Sequence, residues 1–311
     1  MRLAWHGGAL SPMSRSPETA VDDPFVPKSI RVCSADGAAA ELGLIVPASA
    51  KHGVFWLPAL GVSAHHYQKF AMELAEAGIA SARHEWRGTG SSAIRASRSC
   101  DWGYRELLEL DMPAGIAAAQ AACPGVRWVI AGHSLGGQLA CLFAALNPGT
   151  VDGVAFVASG IPYWRTFGGT SGYLLRMVPL LIPAAMALWG YYPGKRLGFA
   201  GNEARRLMRD WARTVRHGQY ANHAHGLDSE SALAAFTSPL LGVRLTGDRL
   251  GPEASFDGLL DKMRKATIER VVLSAADFPS GTANHFSWMK EPAPVVAAMV
   301  RWLQAIETSK S

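Results

Sequence analysis

Cysteine is scarce in this 311-residue chain, with only four, at positions 33, 100, 123 and 141. They form no CxxC pair and show no metal-ligand spacing, so neither a disulfide framework nor a zinc site is expected. Cys141 falls on an apolar helix face, where a buried thiol is the simple reading, and this usage suits a reducing compartment. The sequence also lacks an H-E-x-x-H pattern and a G-x-G-x-x-G following a strand, so no metal and no organic cofactor is expected. Cations exceed anions by 30 to 25, yet no run of five or six basic residues occurs. Nucleic acid is therefore not an expected partner, and the excess allows only a weak attraction to anionic surfaces. No secretory-type apolar stretch opens the chain. No uninterrupted run of about 20 apolar residues is present either. The nearest approach, 173–192, is broken by Arg176, Pro179 and Pro183. A cytoplasmic protein without stable membrane insertion is expected; its oligomeric state is not legible.

What the sequence does have is core-forming material: 49% apolar residues against 18% charged. That balance belongs to a globular chain with a large interior. Residues 1–28 are rich in Pro, Ser and charge and read as a loose tail. Strand character appears at 29–33, 41–46, 53–57, 79–83, 127–131 and 151–158. Helical spacing fills 65–77, 106–122 and 135–146. Alternation of strands and helices with short connections predicts βαβ units and a mostly parallel, doubly wound sheet. The alternation fails over 161–237, which shows no clear strand and holds many aromatic residues, prolines and arginines. Strand character then returns at 240–245 and 269–273, with helices near 256–265 and 294–307. The simplest organisation is a core of 29–160 and 238–311 interrupted by a helical cap, 161–237.

Gly132-His133-Ser134-Leu135-Gly136 fits the G-x-S-x-G nucleophile elbow, with a buried strand before it and a helix after it. The glycines have a steric reason. A serine presented on a sharp strand-to-helix turn brings the residues two before and two after it against neighbouring backbone. Ser134 is thus the candidate nucleophile, at a helix N-terminus that favours developing negative charge. A serine needs a base. His217, His223 and His225 lie in the insertion, whereas His285 follows the last strand and can reach over the serine. His133 precedes the serine and cannot take the ordered role. For the acid that orients the base, Asp248 ends the strand 240–245, ahead of its rivals Asp257 and Asp277. The two oxyanion-hole amides are expected from Leu135 and from the loop after 53–57, at Leu60 with Ala59 as its neighbour.

These segments, in order, carry a family resemblance: Pro58-Ala59-Leu60-Gly61, Trp86-Arg87-Gly88-Thr89-Gly90-Ser91, 132–137, Thr246-Gly247-Asp248 and Asn284-His285-Phe286. Over about 30–305 the chain resembles the α/β hydrolases, and within them a bacterial group near the lysophospholipase and serine-aminopeptidase-like branch. Gly160-Ile161-Pro162-Tyr163-Trp164-Arg165 and Tyr191-Tyr192-Pro193-Gly194-Lys195-Arg196-Leu197-Gly198 sharpen the likeness. The resemblance implies an α/β-hydrolase fold and carries the triad onto Ser134, Asp248 and His285. Two departures stand out. Pro58-Ala59 replaces the common His-Gly, and Glu85 stands where many relatives have Asp.

An aromatic cap would suit an apolar acyl or aromatic substrate, with Tyr163, Trp164, Trp189 and Tyr192 as its candidate contacts. The prolines argue against one long interfacial helix there. The leading expectation is hydrolysis of a carboxylic ester through an acyl-enzyme. The alternatives are an acyltransferase, an aminopeptidase-like amidase using Glu203, Asp210, Asp228 or Glu230 for a substrate ammonium, and a ligand-binding protein on a hydrolase scaffold.

Overall fold

Eight strands lie side by side, in the order Lys28–Cys33 (β1), Ala39–Ile45 (β2), Ala80–Arg83 (β4), His52–Leu57 (β3), Arg127–His133 (β5), Val154–Val157 (β6), Pro239–Leu245 (β9) and Thr267–Leu273 (β10), in a computed structural model that describes residues 26–220 and 228–308. β1 (Lys28–Cys33) and β2 (Ala39–Ile45) form an antiparallel hairpin. β3 (His52–Leu57), α1 (Gln68–Glu76) and β4 (Ala80–Arg83) follow. α2 (Tyr104–Glu106) widens into a π turn, Leu107–Asp111, before α3 (Met112–Ala122). The widening falls just before Pro113, which has no amide to offer the preceding turn. Next come β5 (Arg127–His133), α4 (Leu135–Leu146) and β6 (Val154–Val157). Most of the expected tail lies at 1–25, outside the described residues, and Lys28 already belongs to β1.

β2 runs antiparallel to both its neighbours, and every other pairing is parallel. The chain winds outward from β3 to β4, then returns to lay β5 on the other side of β3. Ligands in open α/β sheets bind beyond the carboxyl ends of strands at such a reversal. Central strands covered on both faces should be apolar along their length, and 53–57 of β3 and 128–132 of β5 are. Alternate side chains of β3 enter two different interiors. Val54 and Trp56 pack towards α1 and α10, beside Phe70, Trp288 and Trp302. Phe55 and Leu57 pack towards α3 and α4, beside Ile116 and Leu139.

Between β6 and β9 the insertion contains α5 (Gly169–Trp189), β7 (Tyr192–Pro193), α6 (Gly194–Leu197), β8 (Asn202–Glu203), α7 (Arg205–His217) and α8 (Ser229–Ala235). Two expectations need correcting. A small antiparallel ribbon, Tyr192 opposite Glu203, is present where no strand was anticipated. And α5 runs unbroken for 21 residues through Pro179 and Pro183. Pro183 supplies no amide to the carbonyl four residues back, that of Pro179. Arg216 of α7 donates to that carbonyl instead, at 3.4 Å, so tertiary packing repairs what the proline removes. The sheet closes with β9 (Pro239–Leu245), α9 (Glu253–Leu260), β10 (Thr267–Leu273) and α10 (Ala293–Thr308). α9 begins three residues earlier than the spacing predicts, directly after Pro252.

Candidate active site

Ser134 sits between β5 and α4 with φ 54° and ψ −119°. This is a conformation that costs a non-glycine residue energy and persists only when its surroundings hold it. The surroundings do. Its amide donates to Val157 of the adjacent strand at 3.2 Å. Its carbonyl accepts from the Ser159 hydroxyl at 2.6 Å and from the Gly137 amide at 3.0 Å. The flanking glycines are sterically required. A Cβ at Gly132 would lie 2.2 Å from the carbonyl carbon of Gly136, and one at Gly136 would lie 2.2 Å from the Leu57 oxygen.

Asp248 and His285 are 37 residues apart, and they meet through Nδ1 and Oδ2 at 2.8 Å. The other oxygen of Asp248 accepts the amides of Leu250 (2.8 Å) and Gly251 (3.0 Å). The carboxylate is therefore fixed on both sides and its side chain is fully buried. A carboxylate accepting at Nδ1 leaves Nε2 as the basic nitrogen of a neutral ring. The two loops are tied together by the Gly247 amide, which donates to Ala283 at 2.9 Å. Asn284 holds the turn behind the imidazole by accepting the amides of Phe286 and Ser287. The rival acids are occupied elsewhere. Asp277 accepts from the Ser274 amide and hydroxyl, which lower its pKa, and Asp257 pairs with Arg270 at 2.5 Å. His217 is exposed at the end of α7. His223 and His225 lie outside the described residues.

The loop after β3 can supply an amide to a developing oxyanion, and its geometry indicates which one. The Ala59 amide donates to the Tyr67 hydroxyl at 3.0 Å, and the next residue, Leu60, lines the cavity above Ser134. Leu135 is the first residue of α4, so its amide has no partner within the helix. Because Ala59 donates, the proton of the Tyr67 hydroxyl is available to Nδ1 of His133, 2.9 Å away. Burial keeps both groups neutral by lowering the His133 pKa and raising that of Tyr67. The His133 ring also lies 4.7 Å from that of His285. Tyr67 and His133 thus join the loop after β3 to the ring of His285. Sequence spacing offers no sign of this link, because the two residues are 66 positions apart.

A cavity of about 220 Å³ opens above Ser134 and His285, and Leu60 and Leu135 also line it. The cap closes it with Phe167, Leu175, Phe199 and Trp211. Among the described residues, its walls contain no Asp, Glu, Lys or Arg. None of the four aromatic residues expected to contact substrate is among the residues that line it. Trp164 meets Tyr163 edge to face and has the Arg176 guanidinium over its ring. Tyr163 packs on Gly218, Tyr192 is buried in β7, and Trp189 ends α5. The wall comes instead from residues that tertiary packing brings together.

The candidate acids for an ammonium are also committed. Glu203 is buried and accepts the Gly201 amide, and burial pushes its pKa up to about 7. Asp210 accepts the Tyr104 amide, Asp228 caps α8, and Glu230 pairs with Lys262. Glu85, the departure noted in the sequence, accepts from Thr89, Ser63 and the Ala64 amide, and so anchors the far end of the loop after β3.

Among known proteins, residues 48–216 match the model of the family described as serine aminopeptidase, S33. No curated protein matches the sequence. Similar solved structures include DcsB in complex with its substrate analogue, at TM-score 0.63 and 11% identity, covering 90% of this chain and 99% of that one. An esterase from Pyrococcus furiosus superposes at TM-score 0.59 and 15% identity, over 94% and 96%. A hydrolase from Pseudomonas aeruginosa gives 0.57 and 16%, over 89% and 98%. At such identities these structures speak for the fold. The family match spans more than half of the chain, and with the sheet order above it means that this protein is an α/β hydrolase belonging to the serine aminopeptidase S33 family.

Proposed function

We propose that the protein hydrolyses a carboxylic ester with an uncharged, apolar acyl or aromatic group through an acyl-enzyme intermediate. In this reading Ser134 attacks the ester carbonyl while His285 takes its proton at Nε2. Asp248 holds the ring and stabilises the imidazolium that forms. The carbonyl oxygen, now negative, is received by the amides of Leu60 and Leu135. His285 returns the proton to the departing alcohol, and water repeats the sequence to release the acid.

The observation that carries the ester reading is the wall of the cavity. An aminopeptidase must hold a substrate ammonium, and a buried cation without a counter-charge is costly. The wall offers no carboxylate, and Glu203, Asp210, Asp228 and Glu230 all serve other partners. The volume, below the roughly 300 Å³ where sites for drug-sized ligands begin, suits a compact acyl group.

Intact-mass measurement after fluorophosphonate treatment tests the chemistry, with p-nitrophenyl esters of graded length and amino-acyl p-nitroanilides assayed in parallel. The expected result is one adduct on the wild type, none on Ser134→Ala, and turnover of esters but not of anilides. Labelling that survives Ser134→Ala would refute the nucleophile, and faster anilide than ester turnover would refute the ester preference.

A further inference from the structure

The outer face of α5 is the most unusual surface of the molecule. Tyr173, Leu174, Met177, Leu180, Leu181 and Leu188 are each at least half exposed. They recur at helical spacing on one side. The opposite side, with Gly172, Pro179, Ile182 and Met186, is buried against the rest of the cap. Within these 21 residues Arg176 is the only charged side chain. Soluble monomers seldom leave an apolar stripe of this length in water, and such a stripe marks an interaction surface.

Charge indicates what covers it. Between Asp152 and Glu203 the sequence contains no acidic residue, while Arg165, Arg176, Lys195 and Arg196 all fall there. These cations flank the stripe at both ends. Arg165 and Arg176 stack on Trp164 near its start. Lys195 and Arg196 are exposed just beyond its end, and Arg98 binds the carbonyls of Ala187 and Leu188 there. A helix lying in the plane of a membrane has an apolar face for the acyl region and cations for the headgroups. Aromatic residues beside those cations suit the boundary between the two.

We infer that the exposed face of α5 docks the protein onto the surface of an anionic lipid bilayer, lying in the interface without crossing it. Leu175, on the same helix, lines the cavity above Ser134. Docking through this face therefore sets the cavity close to the region where apolar esters partition. The docking itself does not depend on the ester reading.

Co-sedimentation of the full chain with phosphatidylglycerol vesicles and with phosphatidylcholine vesicles tests the inference. The wild type should bind phosphatidylglycerol at low ionic strength, bind phosphatidylcholine more weakly, and lose most binding in concentrated salt. The double variant Leu174→Asp with Leu181→Asp should bind at least about tenfold more weakly. Both side chains are about two-thirds exposed (68% and 67%), so its circular dichroism and Tm should match the wild type. The pair Lys195→Glu with Arg196→Glu should erase the preference for anionic lipid while the apolar contact persists. Failure of the wild type to pellet with phosphatidylglycerol would overturn the inference. So would equal binding by the leucine variant. A dimer in analytical ultracentrifugation that the leucine variant dissolves, with no vesicle binding, would assign the face to a second copy of the chain instead.

Discussion

The sheet and the cap hold their contributions to the site in different ways. Ser134, Asp248 and the loop after β3 stand at carboxyl ends of parallel strands, where ladder register sets their positions, and the His285 loop is tied to that edge by the Gly247–Ala283 bond. Leu57 pairs with Gly132, and His133 with Val157. The cap residues Phe167, Leu175, Phe199 and Trp211 belong to separate turns and helices, and tertiary packing, including that of α5 on α7 and of Phe199 on Trp211, gathers them. A site on a sheet inherits its precision from many backbone bonds, whereas a wall made of helices can change shape by sliding. The sheet side should therefore respond to substitution as an all-or-none device, and the cap side in graded steps.

The largest expected effect is on the sheet side. Asp248→Asn should lower kcat by about 10⁴-fold, because an amide facing Nδ1 favours the wrong imidazole tautomer. Asp277→Asn, which loses only a local cap, should leave kcat within about twofold. Ester kinetics on the two purified variants would decide this, and comparable losses would break the assignment of Asp248. Next comes the elbow. Gly136→Ala forces a methyl group to within 2.2 Å of the Leu57 oxygen, against backbone that cannot rotate away. A loss of about 3 kcal/mol or more in urea unfolding is expected. A variant as stable as the wild type would show that the elbow is looser than the sheet register implies.

The same contrast explains what could be read from the chain. Ser134 and Asp248 follow apolar strands and are punctuated by glycine, and His285 follows the last strand, so local pattern and strand order suffice to nominate them. The sheet itself is legible because a strand buried on both faces leaves a short apolar run. The cap is not legible in this way. The continuity of α5 depends on Arg216 answering the Pro179 carbonyl from another helix, a contact that no window of sequence contains. The choice between a wall aromatic and a packing aromatic depends on helix rotation, and so Trp164 and Trp211 look alike in the sequence. The Tyr67–His133 link is hidden for the same reason, since it forms only when β3 and β5 lie side by side.

Glu203 marks the joint between the two regions, because Gly201, whose amide it accepts, packs against Gly61 of the loop after β3. Burial raises its pKa from 4.5 to about 7. The folded chain therefore binds a proton that the unfolded chain has already released between these values. That stabilisation is complete below about pH 4.5 and is lost as pH rises through 7, by at most roughly 3 kcal/mol. Glu203→Gln keeps the acceptor oxygen and removes the titration. Its Tm should match the wild type near pH 5 and exceed it increasingly up to pH 8. A Tm difference that stays flat across this range would mean that the carboxyl is not held proton-bound at the joint.

The smallest effects should come from the cap wall, and they separate its two kinds of tryptophan. Trp211 lines the cavity. Trp211→Ala enlarges it, so the optimal ester should become longer, with a change in kcat/KM of about tenfold between chain lengths, the scale of a few methylenes in an apolar pocket. Trp164 stacks under two arginines away from the cavity. Trp164→Ala should therefore leave the chain-length profile unchanged while costing stability, through lost ring packing and cation–π contact. Esters of graded length assayed on both variants give the comparison directly. If Trp164→Ala shifted the preferred length and Trp211→Ala did not, the wall would have to be redrawn along the N-terminal end of α5, where substrate would enter beside Trp164.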